Sequence, residues 1–271
     1  MPTAHVNGID IYFERSGEGR RLLFFNGSGA TLETAAPLID PFRARFEVLV
    51  HDQRGLGRTQ IPPRPYSMKD YATDAIELLD FVGWTSCRVI GISFGGMVAQ
   101  EFAVTDPGQV ERLVLSCTSP GGAGGSSYPL HELRPLDDPA ASERFLTLLD
   151  TRFTPQYLAA HPADQALASM IAARRTETRS AGELRGEREQ LLARRAHDVA
   201  DRLSNIRCPT LVAAGRYDGI APLTNSEAIV SRIPGSQLRV YEGGHLFLAQ
   251  DPRALSEILE FLDQPSAAPT P

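Results

Sequence analysis

The sequence predicts an α/β protein with a mostly parallel central sheet, helices on both faces of the sheet and an inserted helical cap. Two observations carry this prediction. Short apolar segments rich in β-branched residues alternate with segments of helical periodicity, which is typical of a parallel sheet covered on both faces. The alternation is interrupted once, over residues 120–207, by a helical pattern without strand signals, and it then resumes. The cap is therefore expected between two parts of one core.

The first part of the core, residues 1–119, begins with a hairpin, since Asn7-Gly8 is a strong two-residue turn signal. Continuous apolar runs then predict buried strands, and periodic apolar residues predict helices between them. In order, these are a strand at 21–25, a helix at 35–45, a strand at 46–50, a helix at 71–82, a strand at 87–92, a helix from Met97 and a strand at 112–117.

The predicted cap, residues 120–207, carries arginines and carboxylates in similar measure, which favours a solvated helical surface over a binding patch. A glycine-rich loop at 121–125 leads into it and gives the backbone little restraint, as a hinge requires. In a parallel sheet such an insertion emerges at the edge formed by the carboxyl ends of the strands. We therefore predict a mobile lid over that edge, without catalytic groups of its own.

The second part of the core, residues 208–264, restores the strand-helix alternation. Strands are predicted at 208–215 and 237–241, with helices at 226–233 and 253–262. The last residues, 265–271, are predicted to form a disordered tail.

Composition excludes several classes of function. The chain has 271 residues, a net charge of −6 and no basic stripe, which argues against a nucleic-acid surface. No apolar run approaches the ~18 residues that span a bilayer, and the first residues lack the features of a signal peptide. These observations predict a soluble, cytoplasmic protein.

No cofactor is expected. The three cysteines, Cys87, Cys117 and Cys208, form no C-x-x-C spacing and fall at predicted buried strands, so neither a disulfide framework nor a zinc site is indicated. The sequence also lacks G-x-G-x-x-G and G-K-[ST] phosphate loops, which argues against a nucleotide. We therefore predict neither a metal nor an organic cofactor.

The strand at 87–92 leads into Gly91-x-Ser93-x-Gly95 and then directly into a helical pattern. Such a sharp strand-to-helix turn strains its apex residue, and small residues on either side let the strand and helix approach. Ser93, at the apex, would project its hydroxyl at a helix N-terminus, where developing negative charge is favoured. We interpret Ser93 as a nucleophile.

A serine nucleophile needs a base, and the base needs an acid that orients it. His245 follows the last predicted strand and would emerge at the same sheet edge as Ser93, whereas His51 belongs to a turn that looks structural. Asp218 follows the strand at 208–215, while the loop after Cys117 offers no carboxylate. Asp218 and His245 are the predicted acid and base.

The tetrahedral intermediate of acyl transfer needs two N–H donors for its oxyanion. The first should be the N–H of Phe94, directly after Ser93. The second should come from the glycine-rich loop after the strand at 21–25, from the N–H of Ser28.

These motifs resemble those of the α/β-hydrolases, over residues 9–262. Beyond the serine turn, the resemblance rests on Asp52-x-Arg54-Gly55-x-Gly57, Gly215-x-x-Asp218 and Gly244-His245 followed by Asp251-Pro252. Within that family the chain is similar to 3-oxoadipate enol-lactonases, small esterases, cofactor-free perhydrolases and carbon–carbon bond hydrolases. The family's oxyanion loop usually begins His-Gly. Here it begins Asn26-Gly27, and Asn26 is expected to take over the hydrogen bonds that brace the loop.

The resemblance and the residues together predict a serine hydrolase that cleaves a carboxylic ester or a lactone of a small molecule through an acyl-enzyme. Two alternatives stay open. The same residues serve carbon–carbon bond hydrolases of the family, and some members are small-molecule receptors or signalling proteins. The expected partners are a small substrate and water, with no nucleic acid and no membrane; homo-oligomer formation is left open.

Overall fold

The structure, a computed structural model, describes residues 2–63, 65–133, 139–175 and 178–265. Its framework is an eight-stranded sheet in the order β1-β2-β4-β3-β5-β6-β7-β8. The strands are β1 Thr3–Val6, β2 Ile9–Ser16, β3 Arg20–Phe25, β4 Phe46–His51, β5 Cys87–Ile92, β6 Val110–Ser116, β7 Thr210–Gly215 and β8 Gln237–Tyr241. The strands β1 and β2 pair antiparallel, as do β2 and β4, and every later pair is parallel. The predicted mostly parallel sheet is confirmed.

The N-terminal hairpin follows from its turn sequence. Val6 pairs with Ile9, so Asn7 and Gly8 alone form the connection. Both have positive φ, 47° and 70°, as the two-residue turns that match strand twist require.

The described residues contain ten α-helices. They are α1 Leu32–Arg43, α2 Met68–Phe81, α3 Phe94–Thr105, α4 Pro139–Leu149, α5 Pro155–Ala160, α6 Pro162–Arg175, α7 Ala181–Arg195, α8 Leu223–Val230, α9 Phe247–Gln250 and α10 Pro252–Asp263. Helix α1 begins earlier than predicted because Thr31 and Thr34 cap each other's backbone N–H groups. Such reciprocal capping fixes a helix start whatever the apolar pattern that follows.

Alternating strand residues pack into two apolar cores, one on each face of the sheet. Leu23 and Phe25 pack with helices α2, α3 and α8, whereas Leu22 and Phe24 pack with α1 and α10. Successive strand side chains point to opposite faces, so a continuous apolar strand needs cover on both sides. The prediction of helices on both faces is confirmed.

Helices α4–α7 lie between β6 and β7 in the sequence. A third apolar cluster lies among them and includes Phe145, Leu149 and Phe153 from the insertion and Ile220 from the core. The division into a core at 1–119 and 208–264 and a cap at 120–207 stays a prediction. The predicted tail, 265–271, lies outside the described residues apart from Pro265.

Helix α7 packs tightly on the turn that follows β4. A Cβ atom added at Gly186 would lie 1.9 Å from the carbonyl oxygen of Gly55, so only glycine permits this approach. The preceding residue, Arg185, donates hydrogen bonds to the carbonyl oxygens of Ile61 and Pro62, at 3.0 and 3.1 Å. The inserted segment therefore has one helix held directly against the core.

The glycine loop that leads into the insertion is hydrogen-bonded. Gly121 donates its N–H to Gly125 at 3.1 Å, and Val199 donates to Pro120 at 3.0 Å. Gly121 also forms an isolated bridge with Asp198. The expectation of a loop with little backbone restraint is wrong, because these bonds tie the start of the insertion to its end. The mobility of the segment as a lid stays a prediction.

Across the part of the chain that the structure describes, no helix combines the length and the apolar character that crossing a membrane requires.

Candidate active site

The turn between β5 and α3 holds Ser93 in a strained backbone conformation, with φ 55° and ψ −114°. Two glycines make the turn possible. A Cβ at Gly91 would lie 2.3 Å from the carbonyl oxygen of Gly95, and one at Gly95 would lie 2.2 Å from that of Phe25. The N–H of Ser93 donates to the carbonyl of Ser116 at 2.8 Å. Strain of this kind persists only where the surroundings fix it, and it clusters at functional sites.

Three predicted side chains meet at the carboxyl ends of the strands. The Oγ of Ser93 lies 2.9 Å from Nε2 of His245, and Nδ1 of His245 lies 2.8 Å from Oδ2 of Asp218. With the ring proton on Nδ1, the imidazole donates to the carboxylate and accepts from the serine hydroxyl. The Asp218 side chain is fully buried, and that of His245 is 11% exposed. This is the geometry that general-base activation of a hydroxyl requires.

Backbone groups hold the acid and the base in place. Oδ1 of Asp218 accepts hydrogen bonds from the N–H groups of Ile220 and Ala221, both at 2.8 Å, which leaves Oδ2 for the histidine. The N–H of His245 donates to the carbonyl of Leu149 at 2.5 Å. That contact joins the loop after β8 to helix α4 of the insertion.

The two predicted oxyanion donors lie beside Ser93. Phe94 begins α3, and Ser28 lies in the loop after β3. A Cβ at Gly27, next to Ser28, would be 3.8 Å from Cβ of Ser93. Within the described contacts, the N–H groups of Phe94 and Ser28 have no hydrogen-bond acceptor. Both are thus available to a ligand oxygen, and their role as donors stays a proposal.

Asn26 does not brace the oxyanion loop with its side chain. Its amide nitrogen and oxygen are buried and have no hydrogen-bond partner among the described residues. The loop is held instead by Nε2 of Gln53, which donates to the Asn26 carbonyl at 2.7 Å. The expectation for Asn26 is therefore wrong, because a residue of the neighbouring turn supplies the bond through the backbone.

The turn after β4 is a scaffold. The Asp52 carboxylate accepts from the N–H groups of Leu32 and Arg58, at 2.7 and 2.9 Å. Arg54 and Asp74 form a buried ion pair, with Nε to Oδ2 at 2.9 Å. Burial lowers the pKa of His51 to about 4, so the ring is neutral and packs against Phe25. The structural interpretation of His51 agrees with this environment.

The three cysteines are free thiols, and Cys87 and Cys117 are buried in the core. Burial raises the pKa of the Cys87 and Cys117 thiols, and that of Cys208 to about 11. Such thiols are inert at neutral pH. Within the described ranges, no three histidine, cysteine, aspartate or glutamate side chains are arranged to hold a metal ion.

Sequence reasoning missed the contribution of α7. Oε1 of Gln190 accepts a hydrogen bond from the N–H of Gly29 at 2.8 Å, next to Ser28. Arg194 and His197 are buried and line a cavity of about 260 Å³, together with Met97 and Ser119. No local signal identifies these residues, because their partners lie far away in the sequence.

A family model described as alpha/beta hydrolase fold matches residues 20–252. The chain belongs to this family. The resemblance inferred from the motifs is thereby confirmed, and the chain is an alpha/beta hydrolase.

The alpha/beta hydrolase has relatives along nearly its whole length. It is 34% identical to a poly(3-hydroxyalkanoate) depolymerase of Ectopseudomonas oleovorans, over 90% of this chain and 84% of that one. It is 25% identical to 3-oxoadipate enol-lactonase 2 of Acinetobacter baylyi, over 96% and 97% of the two chains. A solved hydrolase of Pseudomonas aeruginosa has a TM-score of 0.76 and 27% identity, with 97% and 98% covered.

Proposed function

We propose that this alpha/beta hydrolase is a serine hydrolase that cleaves a carboxylic ester or a lactone of a small organic molecule through an acyl-enzyme on Ser93. The observation that carries the proposal is the hydrogen-bonded chain from Ser93 through His245 to the buried Asp218. A serine hydroxyl is a poor nucleophile at neutral pH, and this arrangement supplies both a base and the group that fixes its tautomer.

In the first half of the reaction, Nε2 of His245 takes the hydroxyl proton while Oγ of Ser93 attacks the ester carbonyl carbon. The carbonyl oxygen becomes an oxyanion, and the free N–H groups of Phe94 and Ser28 are the proposed donors that stabilise it. The carbon–oxygen bond then breaks, and His245 gives its proton to the departing alcohol. In a lactone that alcohol stays attached to the acyl group.

In the second half, His245 takes a proton from water as the water oxygen attacks the acyl carbon. A second oxyanion forms at the same donors and collapses, and the proton returns to Oγ of Ser93. The carboxylic acid leaves and the enzyme is restored. Asp218 keeps its hydrogen bond to Nδ1 throughout, where it orients the imidazole and stabilises the imidazolium.

The relatives support this chemistry. A poly(3-hydroxyalkanoate) is a polyester and an enol-lactone is a cyclic ester, so both names describe cleavage of an acyl–oxygen bond. The proposed triad and the two proposed oxyanion donors, the N–H groups of Phe94 and Ser28, are all supplied by this chain.

The test combines turnover with covalent labelling. The wild-type enzyme should hydrolyse p-nitrophenyl butyrate, and a fluorophosphonate probe should attach to the peptide that contains Ser93. Ser93→Ala should lower kcat by about 10³-fold or more and abolish labelling, with the melting temperature preserved. A matched variant, Ser256→Ala on the exposed face of α10, should do neither.

Two results would contradict the proposal. A loss of tenfold or less in Ser93→Ala would remove Ser93 from the mechanism. Labelling of Ser93 without turnover of any ester or lactone would instead favour a carbon–carbon bond hydrolase or a receptor.

A further inference from the structure

The cavity of about 260 Å³ lies where the insertion meets the core. Its walls include Met97 of α3, Ser119 after β6, Arg194 in the last turn of α7, and His197 just after that helix. Ligand pockets of drug-sized molecules have volumes of roughly 300–1,000 Å³, so this cavity suits a small substrate.

Three observations connect the cavity to the proposed triad. Met97 lies one helical turn after Ser93 in α3. Gln190, one turn before Arg194 in α7, accepts the hydrogen bond from Gly29 in the oxyanion loop. The charge of Asp218 raises the pKa of Arg194, which burial lowers to about 10. Arg194 is therefore charged at neutral pH and is within electrostatic range of the triad.

Arg194 has an incomplete set of hydrogen bonds. Its side chain is buried, and Nη1 donates to the carbonyl of Tyr128 at 2.7 Å. Its Nε and Nη2 are also buried and have no acceptor among the described residues. These two nitrogens form one edge of the guanidinium, the edge that matches both oxygens of a carboxylate. A buried charged group without acceptors is costly unless a ligand supplies them.

Among the described residues, the same edge binds an aspartate in three arginine–aspartate pairs. In each pair, Nε and Nη2 of the arginine both donate to the same aspartate. The pairs are Arg54–Asp74, Arg152–Asp150 and Arg253–Asp251. In the Arg152 pair the two distances are 2.9 and 2.6 Å. Arg194 presents this edge beside a cavity instead of beside an aspartate.

The cavity wall leaves the charge of Arg194 uncompensated. Glu132 is the one acid among the described residues that line it, and its side chain is 67% exposed, beside His131. His197 is a neutral wall residue, because burial lowers its pKa to about 3 although the Ser119 backbone opposes this shift. A neutral imidazole adds hydrogen-bonding capacity without a second charge. Arg195 also lines the cavity but is exposed, so Arg194 is the buried positive charge of the described wall.

We propose that Arg194 binds a carboxylate of the substrate, so that the enzyme prefers esters or lactones that carry a second, ionised carboxyl group. The inference rests on the proposed function of Ser93, and it adds the substrate class. Arg194 is a specificity-determining residue in this proposal, and the bond that is hydrolysed stays the one beside Ser93.

The kinetic test uses two pairs of ester series. Monomethyl esters of succinate, glutarate, adipate and suberate are compared with methyl esters of the uncharged acids of equal chain length. Acetate esters of ω-hydroxy acids, compared with those of simple alcohols, place the carboxylate on the alcohol side. In at least one pair the wild-type enzyme should have the higher kcat/KM for the anionic ester. Arg194→Gln should lower that preference by about 100-fold, as lost charge-assisted hydrogen bonds imply.

Two variants make the test specific. Arg188→Gln removes the same charge from an exposed position of α7 and should leave the preference unchanged. Arg194→Lys keeps the positive charge but lacks the guanidinium edge, so it should retain part of the preference that Arg194→Gln loses. Equal kcat/KM for anionic and neutral esters in every series would overturn the proposal. A lower melting temperature with equal losses on both ester types would also overturn it, because that pattern means Arg194 acts only through Tyr128.

A binding measurement separates this proposal from the proposed function. Monomethyl adipate and dimethyl adipate are titrated calorimetrically into Ser93→Ala and into Ser93→Ala/Arg194→Gln. Selective binding of the monoanion that the second variant loses supports the carboxylate site, even if no ester is turned over. If the wild-type enzyme hydrolyses esters but Ser93→Ala binds both adipate esters equally, the carboxylate site is wrong and the serine hydrolase stands.

Discussion

Among the close backbone contacts that depend on a glycine, two lie at Ser93 and at the insertion. At the turn after β5, Gly95 of α3 approaches the carbonyl of Phe25. At the surface of the core, Gly186 of α7 approaches the carbonyl of Gly55. The first contact joins α3 to the end of β3, the strand that pairs with β5, and fixes Ser93. The second joins the insertion to the turn after β4 and fixes a wall of the cavity.

The difference separates two tasks. The turn at Ser93 sets the position of the reacting atoms, so an error there should affect every substrate alike. The contact of α7 sets the position of Gln190 and Arg194, so an error there should affect substrates unequally. Four predictions test this separation, in order of decreasing effect.

The largest effect is expected at the acid of the proposed triad. Asp218→Asn should lower kcat on p-nitrophenyl butyrate by about 10³- to 10⁴-fold, because an amide cannot hold the imidazole in the tautomer that accepts the serine proton. Asp150→Asn is the matched control. That carboxylate is also buried but binds Arg152 and Gln250, so its loss should lower the melting temperature without a comparable loss of kcat. Equal kinetic losses in the two variants would contradict the prediction.

The second effect concerns the turn itself. In Gly95→Ala the new methyl group would lie 2.2 Å from the Phe25 carbonyl oxygen, a backbone atom that cannot rotate away. We expect a loss of about 3 kcal/mol in the free energy of unfolding and a fall in kcat that is similar for all esters. Urea unfolding and a panel of acyl chain lengths measure both. Gly108→Ala, where the nearest atom would be 3.6 Å away, should change neither, and a substrate-dependent loss in Gly95→Ala would contradict the prediction.

A smaller and selective effect is expected where α7 docks. Gly186→Ala should push the helix away from Gly55 and widen the cavity, raising KM about tenfold for short esters and less for long ones. Steady-state kinetics on p-nitrophenyl acetate, butyrate and octanoate provide the measurement. A fall in kcat that is uniform across the three esters would show that the two contacts do not have separate tasks.

The smallest effect concerns His51, the last residue of β4, directly before the turn that α7 contacts. His51 is buried there and its pKa is lowered to about 4, whereas an unfolded histidine titrates near ~6.5. Between those values the unfolded chain binds a proton that the folded chain does not. Stability should therefore fall with decreasing pH, by about 1.4 kcal/mol per pH unit from this group. His51→Gln should flatten the dependence between pH 6 and pH 5 in urea unfolding, and an unchanged slope would contradict the prediction.

The sequence was sufficient for the sheet and for the meeting of Ser93, Asp218 and His245. Ser93 directly follows β5, and Asp218 and His245 lie in the loops after β7 and β8. Parallel strands bring their carboxyl ends to one edge. Asn7-Gly8 and Gly91-x-Ser93-x-Gly95 are local signals, because the backbone they require is fixed by the residues themselves.

The sequence was insufficient wherever the partner is distant. Gln53 rather than the Asn26 side chain holds the oxyanion loop. Hydrogen bonds to residues near 198 restrain the glycine loop at 121–125, although glycine composition alone favours freedom. The unpaired edge of Arg194 has no local signal at all, since α7 carries many arginines and only the packing distinguishes this one.

The hydrogen bond from Gly29 to Gln190 has a kinetic consequence. It connects the loop that contains a proposed oxyanion donor to the helix that carries the proposed carboxylate site. A substrate that draws α7 inward also moves the donor relative to the reacting carbonyl. Good and poor substrates should therefore differ in turnover number as well as in affinity, so that part of the enzyme's selectivity is exerted after binding, in the rate of the acylation step.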